Sequence, residues 1–187
     1  MLSQRPEADA RLDKDPLALV IGMVLDQQIP LEKAFSSPYV LTERLGHVPD
    51  AAELAGMPED DLVAIFSTPP ALHRFPGSMA KRVQAMCQAV VDQYDGDAAN
   101  VWKQADDGKD LLKRVAALPG FGKQKAQIFV ALLGKQYGVD VPGWREAAGD
   151  FGPADTYKSV ADIRDPESLG KVREYKKQLK AAAKAKA

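Results

Sequence analysis

Apolar residues recur along most of the chain at three- and four-residue spacing, and the alternation of a half-buried strand is almost absent. Asp15-Pro16 supplies an N-cap and a first-turn proline for a helix carried by Leu17, Leu19, Val20, Met23, Val24 and Gln27. Pro30 allows a fresh start through Leu31 to Phe35. The same proline device at Pro38, Pro49, Pro58, Pro70 and Pro166 predicts further short helices. Val83, Met86, Cys87, Val90 and Val91 form the stripe of a helix expected from Met79 to Tyr94, with Ser78 as its cap. A short helix is expected around Trp102, then a pair of helices over about residues 109–135. Asp165-Pro166-Glu167-Ser168 opens a last helix, about 166–187, and the glycines and prolines of 138–158 mark the one long irregular segment. The reading is all-α, with residues 1–187 as a single domain of about ten helices.

Composition narrows the classes. With 187 residues, 45% of them apolar, the chain can bury a proper interior. No run approaches the length of a membrane span, and the polar start from Met1 to Asp9 lacks the apolar stretch of a secretory leader. Cys87 is the only cysteine, which excludes an internal disulfide and a four-cysteine iron–sulfur cluster and points to a reducing, cytoplasmic setting. His47 and His73 fall into no ligand spacing with Cys87, so no metal is expected. The net charge of −1 conceals two unlike parts: residues 171–187 hold seven cations against Glu174 alone, a balance of +6 that leaves −7 on the rest. That basic end reads either as a neutraliser of phosphates or as a solvated helix end.

The chemistry concentrates in Leu118-Pro119-Gly120-Phe121-Gly122-Lys123-Gln124-Lys125-Ala126, set between two helical patterns. Gly120 and Gly122 are expected to take positive φ and to let the backbone approach another surface closely. The amides of Gly122, Lys123 and Gln124 would stand unpaired at the mouth of the second helix, with Lys123 and Lys125 adding charge. Such a turn holds one phosphate of a nucleic acid without reading its sequence; the plainer alternative is an ordinary helix–turn–helix corner. The segment resembles the helix-hairpin-helix of the HhH-GPD superfamily of base-excision DNA glycosylases. Two further segments match that family in order. Ile21 to Ile29 is similar to its Gln-Gln helix end, which implies that Gln27 and Gln28 fill the gap left by a rotated nucleotide and contact the opposite strand. Phe75 to Arg82 is similar to its small-residue turn before a lysine-bearing helix, which implies a second phosphate contact through Ser78 and Lys81. The match is closest to a small bacterial HhH-GPD group that also has Gly143-Trp144-Arg145-Glu146-Ala147-Ala148 and a basic final helix. It implies two lobes around an interlobe pocket, a monomer on duplex DNA near the nucleoid, no organic cofactor, and room for a monovalent cation at the hairpin.

The resemblance breaks at the catalytic groups. The family aspartate lies roughly eighteen to twenty residues beyond the position of Gln124, where a carboxylate meets the positive charge of the departing sugar. Here the count lands on Pro142, Gly143 and Trp144, which cannot do that work. Asp140, two residues early, and Asp26, beside Gln27-Gln28, are the candidate carboxylates; Trp144 is a candidate for stacking on the base. Gln124 stands where lyase members carry a lysine, and Lys125 is displaced by about 100° of helix. The expectation is therefore a monofunctional N-glycosylase acting on alkylated or deaminated bases. The alternatives are a lesion- or abasic-site binder without catalysis, and a helical protein-interaction module favoured by the acidic body.

Overall fold

A computed structural model describes residues 1–187, and every regular element in it is helical. The helices are α1 (Pro6–Lys14), α2 (Pro16–Leu25), α3 (Leu31–Leu45), α4 (Ala51–Gly56), α5 (Glu59–Ser67), α6 (Pro76–Tyr94), α7 (Asn100–Lys103), α8 (Gly108–Ala116), α9 (Lys123–Gln136), α10 (Trp144–Ala147) and α11 (Pro166–Ala185). Short 3-10 turns cover Gly149–Phe151 and Val160–Asp162. No helix is long and apolar enough to cross a membrane.

Two helices organise the packing. α2 is apolar on all sides, with Leu17 through Leu25 buried, and α1, α3 and α6 close around it. α9 does the same for the second half, taking α8, α10 and the 3-10 turn at Val160–Asp162. A single apolar cluster runs from Leu2 to Val172 through both halves.

Local signals set most boundaries. Asp15 accepts from the amides of Leu17 and Ala18, and Asp165 with Ser168 forms a reciprocal capping box at α11. Other proline readings are corrected. Pro38 lies inside α3, Pro58 is the N-cap of α5, and Pro70 starts no helix. Pro6 opens α1, a helix that the sparse apolar pattern before Asp15 did not announce. α6 begins at Pro76, so Ser78 lies within its first turn and Phe75 occupies the cap position.

The irregular segment is fastened by one buried ion pair. Lys135 Nζ lies 2.6 Å from Asp162 Oδ1, with side chains 1% and 3% exposed. Asp162 also accepts from the amides of Lys158 (2.8 Å) and Ser159 (3.2 Å). Removing the acid strands a buried ammonium, whereas removing the lysine leaves a carboxylate that still has amide donors. Asp162→Ala should therefore cost about 3–5 kcal/mol and Lys135→Met clearly less; the difference is read from urea unfolding midpoints.

Candidate functional site

The turn between α8 and α9 is built from the inside. Leu118 and Phe121 are buried, and the Phe121 amide donates to the Leu118 carbonyl at 3.1 Å. Gly120 has φ 95°, and a Cβ there would lie 3.1 Å from the Val24 side chain and 3.3 Å from Arg82 Cδ. Both its conformation and its neighbours require glycine. Gly122 departs from the expectation: its φ is −88°, in the ordinary region, and a Cβ would meet nothing within 4 Å. It serves as the N-cap of α9, leaving open space above the helix mouth. No side chain caps this end and no acid lies in its first turn. Gly122, Lys123 and Gln124 are exposed, and their amides enter no backbone hydrogen bond. The positive end of α9 is thus free for an anion.

The three segments singled out in the sequence meet at the end of α2. The Val24 carbonyl accepts from Lys125 Nζ at 3.2 Å and from Gln27 Nε2 at 3.0 Å. Arg82 reaches Gln27 Oε1 at 3.4 Å. His73, 1% exposed, places Nε2 2.9 Å from the Gln27 carbonyl, while its Nδ1 accepts from the Phe75 amide at 2.9 Å. The Phe75 bond assigns the proton to Nε2, which donates to Gln27. Burial holds His73 below the usual histidine range and therefore neutral at pH 7. Gln28 follows with φ 57°, left-handed and without glycine, and its side chain is exposed. Sequence reasoning passed over His73 and Arg82. A lone histidine carries no pattern, and Arg82 stood beside the more obvious Lys81.

Asp26 lines a cleft of about 290 Å³ between the α2–α3 connection and α11. Ile29, Leu31, Ile163, Leu169 and Val172 give apolar walls, and Arg173, Lys176 and Lys180 a basic rim. Burial pushes the Asp26 carboxyl above the usual carboxylate range, Lys176 and Lys125 draw it back, and Glu32 adds to the rise. Burial lowers the Lys125 ammonium to about 8, with Asp26 opposing and Arg82 reinforcing that shift.

Other expected site residues lie elsewhere. Asp140 is exposed beyond the far end of α9, a helix of 14 residues and so about 21 Å long. The Pro142 carbonyl, two residues on, accepts from the Gly108 amide at the start of α8. Asp140 is thereby held at the end of the helix pair opposite the turn. Trp144 is 7% exposed, with its ring against Gly134, where a Cβ would lie 2.5 Å from the indole. Arg145 sits 4.4 Å from the ring centroid. No face of Trp144 is free to stack on a base, which corrects that expectation. Lys81 turns toward α5, where it lies 3.4 Å from Glu59, and Ser78 is exposed on α6.

The family model described as HhH-GPD superfamily base excision DNA repair protein matches residues 21–185. No curated protein and no solved structure matches the chain. The match spans the end of α2, the hairpin and α11, the elements whose convergence builds the site. The chain belongs to the HhH-GPD superfamily of base excision DNA repair proteins.

Proposed function

We propose that this chain is a monofunctional DNA N-glycosylase that rotates an alkylated or deaminated base out of duplex DNA and hydrolyses its glycosidic bond. The observation that carries this reading is Asp26, a half-buried carboxylate in a cleft beside the Gln27-Gln28 turn, one helix end away from the hairpin. The hairpin amides and Lys123 hold one backbone phosphate. Gln28, exposed in a left-handed turn and without a side-chain hydrogen bond, enters the stack where the nucleotide leaves it. As the bond from sugar to base lengthens, positive charge gathers on the sugar, and the Asp26 carboxylate faces it while a water completes the hydrolysis. Gln124 offers no amine, and the Lys125 amine is engaged by the Val24 carbonyl. Both features support hydrolysis over Schiff-base chemistry.

The second reading is a lesion binder without catalysis. It is favoured by the placement of Asp140 away from the turn and by the absence of any acid at the counted position, Pro142 to Trp144.

Asp26 chemistry separates the two. With uracil, hypoxanthine or alkylpurine duplexes, Asp26→Asn should lower base release about 10²–10³-fold, whereas Asp140→Asn should leave it unchanged. Equal loss in both variants, or in neither, removes the assignment. The sign of the pH effect follows from the raised pKa: release needs the ionised acid and should rise with pH through a value above the usual carboxylate range. Stability runs the other way, because native burial favours the protonated acid and its contribution is lost as pH rises through that value. Asp26→Asn should therefore raise the thermal midpoint at neutral pH while lowering release by that factor.

Gln28→Gly should relieve a left-handed backbone and change stability by no more than about 1 kcal/mol in its favour. The same variant should lose most base release, as followed by alkali cleavage of the product strand. Borohydride treatment of the protein on abasic duplex should trap no covalent adduct. An adduct abolished by Lys125→Met would establish lyase chemistry instead.

A further inference from the structure

The first half of α11 is fixed to the body. Leu169 and Val172 are buried, Arg173 pairs with Glu32, and Lys176 faces Asp26 across the cleft. Beyond that point every residue from Lys176 to Ala187 is exposed. Arg173, Lys176, Lys177, Lys180 and Lys184 lie along one face of the helix, 176 and 177 adjacent and the others three or four residues apart. Over these residues the helix advances about 16 Å and turns the five cations through an arc of about 100°. Glu174 lies outside that arc, and its carboxylate takes Gln178 at 3.3 Å.

None of the four lysines forms an ion pair; those of α11 are Arg173 with Glu32 and Lys171 with Glu167. Positions 173 and 177, 176 and 180, and 180 and 184 are like-charged i,i+4 pairs, an arrangement that weakens a helix. A row of anions would remove the repulsion and stabilise the helix. The row begins at the mouth of the candidate cleft: Lys176 approaches Asp26 from the α11 side, and Lys125 does so from the hairpin side.

We propose that this stripe is a second grip on the DNA backbone, so that α11 and the hairpin hold the duplex from opposite sides of the Asp26 cleft. The proposal rests on the duplex-binding part of the reading above and is independent of catalysis. A lipid surface fits the segment poorly, because Leu179 is its one large exposed apolar side chain. Five cations in a line suit a polyanion whose charges recur along an axis, and each neutralised phosphate steepens the salt dependence of binding by about 0.9.

The test is fluorescence anisotropy of the full chain on an undamaged duplex oligonucleotide, titrated across salt, for wild type, a Lys177→Gln/Lys180→Gln/Lys184→Gln variant and Lys123→Glu. The triple variant should flatten the slope of log K against log salt by about 2 to 3, with an unchanged thermal midpoint. A wild-type slope in the triple variant overturns the proposal. If Lys123→Glu alone loses affinity, the hairpin reading survives and the second grip does not. If the wild type binds no duplex, both fall. If the triple variant loses only binding to anionic lipid vesicles, the stripe serves a membrane and the proposal fails.

Discussion

The site depends on how the last turn of α2 is closed. A helix ends with carbonyls that have no partner of their own, and its C-terminus favours a cation nearby. α2 is apolar to its end and carries no basic residue in its last turn. The cation comes from another helix: Lys125, 101 residues away, donates to the Val24 carbonyl. Gln27 turns back onto the same oxygen, and Arg82 and His73 hold Gln27 in turn. One carbonyl thus ties the hairpin to the turn that carries Gln28 and Asp26. Gly120 is what brings the hairpin close enough, since any side chain there would press on Val24 and Arg82.

That closure fixes the electrostatics. Asp26 loses hydration by sitting under α11, and the lysines on either side compensate only in part. An unpaired carboxylate in such a place costs stability whenever it is ionised. The cost contrasts with the Lys135–Asp162 pair, where burial is matched by an opposite charge and two amide donors. One buried acid is fully satisfied and fastens a loop. The other is left short of partners, facing a cleft, as expected of a group whose partner arrives with the substrate.

Much of this was legible in the chain. The Leu-Pro-Gly-Phe-Gly run located the hairpin because its requirements are local: two buried apolar anchors, a positive φ at Gly120 and an uncapped helix start. Asp165 and Ser168 marked the start of α11 for the same reason. What failed was long-range. Periodicity places Trp144 in a loop but not against Gly134, and counting from Gln124 cannot tell that Asp140 ends up at the opposite end of α9. Proline was read too strictly as a helix start, since at Pro38 the packing of α3 outweighs the lost amide. His73 and Arg82 matter only because the fold delivers Gln27 to them.

The composition of the cleft bears on how damage would be told from normal bases. A hairpin that holds backbone phosphate would carry no sequence information, and the cleft walls offer mainly methyl and methylene groups. A base entering it would meet Asp26 and Glu32 as its nearby polar groups, with the cations confined to the rim. Such a cleft has few polar groups, Asp26 and Glu32 with the cations at the rim, so hydrogen bonding there distinguishes heterocycles through only a small number of contacts. On the proposed reading, discrimination also draws on the cost of unstacking and unpairing, which is lowest for a base already mispaired by damage. In that reading Gln28 is the residue that would replace the lost stacking. Its left-handed backbone fits this reading, since a turn already formed adds little ordering cost at the moment the nucleotide leaves the helix.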